Sequence, residues 1–145
     1  MSKDEKRVNG ILRVSLGALW EEAMVPAKLN FLEKFAKLPD DDYCVRIIAK
    51  MNDYEFKIVK FKGEFIWHSH PDTDETFIIL DGKLRMHFRD NIVELGPGEM
   101  IVIPKGMEHK PASDEGYKAL LIEPEGVPNT GNVESEITIN RIEWI

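Results

Sequence analysis

The spacing of hydrophobic positions divides the chain into two parts. Before about residue 40, apolar side chains recur at roughly helical intervals, and these are Leu12, Leu16, Leu19, Trp20, Leu29, Leu32 and Phe35. Gly17 and Pro26 weaken this helical pattern. From Tyr43 onward the period changes to two, so that Tyr43, Val45 and Ile47 share one face of a strand. We therefore expect a short extension with helical segments, followed by a β domain.

Turn-forming sequences separate the alternating segments. Asp81-Gly82 is typical of a tight hairpin, and Gly96-Pro97-Gly98 and Pro104-Lys105-Gly106 also predict turns. The strands expected between the turns cover residues 43–49, 55–61, 65–70, 76–80, 83–89, 92–95, 100–103 and 117–122. Short strands in this number, without an intervening helix, predict an all-β sandwich or closed barrel.

The expected organisation is one barrel with two terminal segments. Residues 1–40 form the extension, residues 41–131 the barrel, and residues 132–145 a tail. Both terminal segments are apolar, the first through Ile11, Leu12, Leu16, Leu19 and Trp20, the second through Ile137, Ile139, Ile142, Trp144 and Ile145. Because two such segments would leave a large exposed patch on a monomer, we expect the tail to pack on the barrel or on a partner, and the chain to form a homodimer.

Composition excludes several classes of protein. The chain has 145 residues and a formal net charge of −7, with no basic stripe that could follow a phosphate backbone, so nucleic acid is not an expected partner. Cys44 is the only cysteine, which rules out an intrachain disulfide. The first residues mix both charges, as in Lys3-Asp4-Glu5, and match neither a signal peptide nor a membrane span. We expect a cytoplasmic protein without a membrane partner.

Three of the four histidines occur in two short blocks that suit a metal site. His68 and His70 are two residues apart, so on a strand their imidazoles project from the same face. Glu75 follows a turn-forming stretch and can add a carboxylate, while His109 comes just after Pro104-Lys105-Gly106 and can add a third imidazole. We therefore predict one divalent transition metal bound by His68, His70, Glu75 and His109.

The donor set restricts the metal but does not identify it. Three imidazoles and one carboxylate suit Fe, Mn, Co, Ni, Cu or Zn, and match Mg or Ca poorly. A five- or six-coordinate ion would keep positions open for water, substrate or dioxygen. The fourth histidine, His87, alternates with apolar residues and is expected on the exposed face of its strand.

These residues resemble the two sequence motifs of the cupin superfamily. The first, G-x5-H-x-H-x3,4-E-x6-G, is matched from Gly63 to Gly82, except that the first interval has four residues. The second, G-x5-P-x-G-x2-H-x3-N, is matched from Gly98 to His109, with Ser113 in place of the final Asn. The resemblance covers roughly residues 43–131, and its last part, residues 122–131, resembles small single-domain bacterial cupins. It implies an RmlC-like jelly-roll barrel, a metal centre and, as in other small cupins, pairing into dimers.

The resemblance leaves the reaction open, because cupins include dioxygenases, isomerases, decarboxylases and non-enzymatic binders. The first hypothesis is a metal-dependent enzyme for a small molecule, a dioxygenase-like oxidoreductase or an isomerase. The second is a binding or sensing module without turnover, and the third a metal-free sugar epimerase. No general base is identified, since Tyr54, Glu55 and Glu64 all read as surface residues.

Overall fold

The computed structural model describes residues 6–8, 11–13 and 25–145. These residues form β-strands almost throughout, with one short helix. The elements are β1 Lys6–Val8, β2 Ile11–Arg13, β3 Val25–Pro26, α1 Phe31–Ala36, β4 Tyr43–Met51, β5 Tyr54–Glu64, β6 Glu75–Gly82, β7 Leu84–Phe88, β8 Ile92–Leu95, β9 Met100–Ile103 and β10 His109–Pro124. The predicted all-β fold class is confirmed.

The N-terminal extension contains both strands and a helix. The strands β1, β2 and β3 form a small antiparallel sheet, so the helical expectation was wrong for Leu12, which lies in β2. The helix α1 begins after Asn30, whose side-chain oxygen accepts a hydrogen bond from Glu33 N (3.0 Å), a common helix N-cap. The prediction for Leu16, Leu19 and Trp20 lies outside the described residues.

The barrel is one seven-stranded antiparallel sheet that bends into two faces. The strand order is β4-β5-β10-β6-β9, and β7 pairs with both β10 and β8. The 16-residue β10 is the central element. Its first residues pair with β7, its later residues pair with β5 and β6, and its register shifts between Ser113 and Tyr117. This bulge lets one strand serve both faces of the jelly roll.

The hairpin predicted at Asp81-Gly82 is not formed, because β6 and β7 do not pair with each other. Both strands pair with β10, and the chain turns a corner at Gly82. Gly82 has φ +77°, and a Cβ there would lie 2.1 Å from the carbonyl oxygen of Gly116. The glycine is therefore required by a close backbone approach at a bent strand.

Ser113, which stands where the second motif usually has Asn, stabilises the same corner. Its hydroxyl donates to the carbonyl oxygen of Lys83 (2.6 Å) and accepts a hydrogen bond from Gly116 N (3.0 Å). The side chain is buried. It thus ties the bulge of β10 to the start of β7.

Apolar side chains pack in two clusters on opposite sides of the sheet. The inner cluster fills the barrel and includes Phe61, Ile79 and Met86. The outer cluster lies under α1 and includes Phe35, Cys44, Ile58 and Leu120. Cys44 is thus a buried free cysteine that packs as an apolar side chain.

The C-terminal tail packs on its own barrel. Ile47 N donates to Glu143 O (2.9 Å) and Ile145 N donates to Ile47 O (3.0 Å), so the tail pairs in parallel with the edge of β4. The buried Lys34 of α1 donates from Nζ to Ile145 O (2.8 Å). In the parts of the chain that the structure describes, we find no helix with the length and apolar character needed to cross a membrane.

Candidate metal centre

The four predicted residues converge from three parts of the barrel. His109 is the first residue of β10, and Glu75 is the first residue of β6. Residues 65–70, expected as a strand, instead run extended with a single bridge between His68 and His109. That bridge has two backbone hydrogen bonds, from His68 N to His109 O (3.1 Å) and from His109 N to His68 O (2.9 Å). It sets the two imidazoles side by side, with ring centroids 4.3 Å apart.

The turn between His70 and Glu75 is held by the loop that precedes His109. Gly106 N donates to His70 O (2.8 Å), and Lys105 N donates to the Asp74 carboxylate (2.9 Å). The two motif segments are thus joined by hydrogen bonds. The turn also places Glu75 opposite Ile103 of β9.

The four side chains form a compact, buried group. One potential ligand atom from each of His68, His70, Glu75 and His109 lies within 4.8 Å of the others. His68, His70 and Glu75 are each 4% exposed, and His109 is fully buried. Among the described residues this is the one group of acidic, histidine and cysteine side chains with metal-binding geometry.

Hydrogen bonds direct two of the imidazoles. Nδ1 of His68 lies 2.9 Å from Ile66 O, and Nδ1 of His109 lies 2.9 Å from Met107 O. A carbonyl oxygen can only accept, so each Nδ1 carries a proton, and in the neutral form of each ring Nε2 is the nitrogen with the lone pair. This arrangement is typical of metal-binding histidines, whose second nitrogen is fixed by a neighbouring acceptor.

The ring nitrogens of His70 lack hydrogen-bond partners within the cluster. Nε2 of His70 and Nε2 of His109 lie 3.2 and 3.1 Å from the same carboxylate oxygen, Oε2 of Glu75. The His70 contact is short but not aligned as a hydrogen bond, so both ring nitrogens of His70 are buried without a partner. Buried polar atoms of this kind are costly unless something binds them.

Burial and mutual charge shift the pKa values in this group. Burial, with the neighbouring His109, lowers the pKa of His68 to about 4. Burial would raise the pKa of Glu75, but the close contacts with His109 and His70 outweigh it and hold that pKa well below its usual range. Burial opposes protonation of His70, yet the contact with Glu75 raises its pKa. At neutral pH the group therefore offers an ionised carboxylate and a neutral His68.

A loop after β10 fixes the backbone between the two histidines of the first motif. Ser69 N donates to the Asn132 side-chain oxygen (2.9 Å), and Asn132 N donates to Ser69 O (2.9 Å). Gly131 lies directly against this segment with φ +55°. A Cβ on Gly131 would come within 2.1 Å of Ser69 O and 3.3 Å of the His68 ring. Only glycine allows the loop to approach so closely.

The cluster borders a narrow cavity inside the barrel. His68 and Glu75 line it together with apolar and aromatic side chains, among them Tyr43, Phe61, Phe65, Phe77 and Tyr117. Several of these rings meet edge to face, such as Phe61 with Phe65 at 5.7 Å. The cavity is small, with a volume of about 30 Å³. A ligand entering here would meet aromatic walls and few polar groups.

One carboxylate in the cavity wall was not anticipated from the sequence. Glu123 lines the cavity and is 2% exposed. Its Oε1 accepts a hydrogen bond from Lys57 Nζ (2.8 Å), while its Oε2 has no partner. Burial and the charge of Glu75 raise the pKa of Glu123 to about 7, against the opposing effect of Lys57. A signal did exist, because Lys57 and Glu123 alternate with buried apolar residues on the inward faces of their strands, namely Val59 and Phe61 on β5 and Ala119 and Leu121 on β10.

Other residues weighed in the sequence have different outcomes. Tyr54 and Glu64 are exposed, as expected. Glu55 is buried and lies 3.7 Å from Lys57 Nζ, so its assignment to the surface was wrong. His87 is half-buried rather than exposed, with an Nε2 that has no hydrogen-bond partner, and it belongs to no metal-binding group among the described residues.

The donor set fits a divalent transition metal. Two imidazoles whose Nδ1 faces a carbonyl oxygen and whose Nε2 faces the cluster, a third imidazole without hydrogen-bond partners and an ionised carboxylate are the ligands that such ions bind in proteins. A cation among them would also separate the two nitrogens that now crowd one oxygen of Glu75. Its identity is not determined by these donors.

Comparison with known proteins agrees with this architecture. Residues 57–123 match the Cupin_2 family, described as the cupin domain. YdbB of Bacillus subtilis, called uncharacterized, is 40% identical over 67 residues, which cover 46% of this chain and 59% of YdbB. Acireductone dioxygenase 1 of Coprinopsis cinerea is 30% identical over 130 residues, covering 81% of this chain and 71% of that protein.

A solved structure gives the same result. The cupin-2 domain containing protein of Shewanella frigidimarina is 52% identical and superimposes with a TM-score of 0.65, covering 67% of this chain and 94% of that one. The shared sequence spans almost the whole of that protein, and its fold is the jelly roll described above. The chain therefore belongs to the cupin-2 domain family.

Proposed function

We propose that this protein is a metal-dependent enzyme for a small molecule, and that His68, His70, Glu75 and His109 bind its metal. The observation that carries the proposal is the convergence of three imidazoles and one carboxylate within 4.8 Å, beside a cavity that His68 and Glu75 line. A buried charged group of this kind is expensive to maintain for structure alone, since apolar residues would fill the same space at lower cost.

Each part of the chain has a defined task in this proposal. A bound divalent metal would supply Lewis acidity, and with a redox-active ion also access to dioxygen chemistry. Ile66 O and Met107 O keep the rings of His68 and His109 in the orientation that presents Nε2. The aromatic walls limit water, which strengthens every electrostatic interaction at the site.

Among reactions, a dioxygenase-like oxidation is the first candidate and an isomerisation the second. The first is supported by the 30% identity with acireductone dioxygenase 1, which extends over 130 residues. The narrow cavity beside the cluster favours a small molecule as the substrate.

The test is metal analysis followed by a dioxygen assay. Protein purified without an affinity tag should hold close to one transition metal per chain, and His109→Ala should lower metal affinity by well over ~10-fold. His87→Ala is the matched control, because His87 lies outside the cluster and should leave metal content unchanged.

The outcomes separate two functions and test the ligand set. Dioxygen consumption by the iron form with a small chelating substrate would support the oxidoreductase. Stoichiometric metal with ligand binding but no turnover of any tested substrate would instead indicate a binding or sensing protein. Full metal content in His109→Ala would remove that residue from the ligand set.

We also propose that the protein is a cytoplasmic homodimer. The support is a group of exposed apolar side chains on the edge strands β8 and β9, where Ile92, Met100 and Val102 are each at least half exposed. Edge strands with apolar surface commonly pair with another chain. Analytical sedimentation should give a dimer, and a monomer at all concentrations would refute this part.

A further inference from the structure

The cavity holds a second polar anchor besides the cluster of potential metal ligands. Glu123 lies on β10, and its neighbours on the inward face of the strand, Ala119 and Leu121, are apolar. Glu123 is only 2% exposed, and it lines the same cavity as His68 and Glu75. A carboxylate in such surroundings needs a reason, because burial of an unpaired charge is strongly unfavourable.

Lys57 is a hydrogen-bond partner for only one of the two oxygens of this carboxylate. Its Nζ donates to Oε1 of Glu123 at 2.8 Å and also lies 3.7 Å from Glu55. The lysine is 1% exposed, so the pair is held rigidly within the barrel. Oε2 of Glu123 receives no hydrogen bond from any described residue. The ion pair thus fixes one oxygen of a residue that lines the cavity and leaves the other oxygen without a hydrogen bond.

The chemistry of the free oxygen defines what it can bind. At pH 8, above the pKa of about 7, the carboxyl group of Glu123 is mainly ionised. An ionised carboxylate oxygen only accepts hydrogen bonds, so its partner must carry an O–H or N–H group. The other lining residues are mostly apolar, and the Tyr43 hydroxyl already accepts a hydrogen bond from the Asn129 amide (3.0 Å). A ligand that chelates the metal with one end would therefore meet Glu123 as the available acceptor for its donor group.

We propose that Glu123, anchored by Lys57, accepts a hydrogen bond from the substrate, and that the substrate class is a small metal chelator bearing a hydroxyl or amine donor, such as an α-hydroxy acid. The proposal rests on the proposed metal-dependent function and narrows it. Glu123 is a specificity residue here, and no metal ligation is assigned to it.

The experiment compares two probes that differ in one hydroxyl group. Glycolate and acetate share a carboxylate that can bind metal, but only glycolate carries an O–H donor. Each is titrated into the Co(II)-loaded full-length protein at pH 8, and binding is followed by the visible absorption of Co(II). The variant is Glu123→Gln, which keeps the size of the side chain and can still accept from Lys57, but presents NH2 where Oε2 stood.

In Glu123→Gln the affinity for glycolate should fall at least ~10-fold, the range expected when a hydrogen bond to a charged group is lost, while acetate affinity changes less than ~3-fold. The control is Glu125→Gln, which removes the same charge two residues further along, from an exposed ion pair with Lys50. It should leave both affinities unchanged. If Glu123→Gln does not fold, Glu123→Asp keeps the charge but withdraws the carboxylate, and the same selective loss of glycolate affinity is expected.

Two results would overturn the inference while leaving the proposed function standing. Equal loss of both probes would show that Glu123 supports the cavity without contacting the donor, and unchanged glycolate affinity would show that the oxygen is not used. A wild-type protein that binds no Co(II) would instead refute the metal-dependent function, and the role of Glu123 with it.

Discussion

Replacement of Gly131 tests whether the loop after β10 positions the candidate metal ligands. In Gly131→Ala the new Cβ would lie 2.1 Å from Ser69 O and 2.8 Å from Ser69 C, whereas real Cβ contacts essentially never fall under 3.0 Å. The loop or the His68-Ser69 segment must therefore move. That movement endangers both hydrogen bonds between Ser69 and Asn132, each 2.9 Å long.

The matched control is Gly126→Ala. Gly126 also has a positive φ of +80°, but nothing lies within 4 Å of its Cβ position. Both variants carry the ~1–2 kcal/mol cost of a left-handed non-glycine residue. Gly131→Ala should lose about 2 kcal/mol more, on the order of 1 kcal/mol for each weakened hydrogen bond. At this chain length that difference corresponds to roughly 4–8 °C in Tm.

Calorimetry measures the stability difference, and Co(II) titration measures the effect on the site. Because the new Cβ would lie 3.3 Å from the His68 ring, Gly131→Ala should weaken Co(II) binding by ~10-fold or more, as changes beside metal ligands commonly do. Gly126→Ala should bind Co(II) as the wild type does. Equal melting temperatures and equal Co(II) affinities in the two variants would refute the positioning role of this loop.

Three further predictions concern stability. In the metal-free protein, the free energy of unfolding should fall as the pH drops from about 6.5 to about 4. The reason is that His68 is protonated near pH 6.5 in the unfolded chain, whereas burial holds its pKa near 4 in the folded protein. The raised pKa of His70 acts in the opposite direction. Urea unfolding at several pH values checks this, and a rise in stability on acidification would contradict it. Removal of the metal by a chelator should lower Tm without unfolding the protein. Metal at ~100 times its Kd adds about 2.7 kcal/mol to the free energy of unfolding, and the inner apolar cluster remains without it. Unfolding by a chelator at room temperature would mean that the metal is structural. Ser113→Ala should lower the free energy of unfolding by about 1–3 kcal/mol, because Lys83 O loses its hydroxyl partner at a buried corner. A change below about 0.5 kcal/mol in urea unfolding would show that water replaces the hydroxyl.

The candidate metal ligands were predictable because their placement depends on local geometry. His68 and His70 are two residues apart, and a short turn leads from them to Glu75. The structure differs in one detail, since residues 65–70 form one bridge instead of a strand, yet an extended backbone has the same two-residue period. The period therefore brought both rings to one side without any knowledge of strand pairing.

The corner at Gly82 shows why another local pattern misled. Asp81-Gly82 suits a tight hairpin, and Gly82 does have the positive φ that such turns use. Whether a hairpin forms depends, however, on which strand each neighbour pairs with. Here β10 pairs with β6 and with β7, so the same glycine serves a bend. Pairing with β10 is a contact between residues distant in sequence, which the dipeptide does not encode.

The sequence by itself determined the all-β class, the switch in period near Tyr43 and the side chains of the candidate metal centre, since each follows from residue types and spacing over a few positions. Only the tertiary structure decided that Glu123 stands in the same cavity, that Lys57 holds one of its oxygens, and that Gly131 lies against the backbone of Ser69. Lys57 and Glu123 are 66 residues apart. Contacts of that range depend on how the sheet closes, because closure sets which inward-facing positions of distant strands meet.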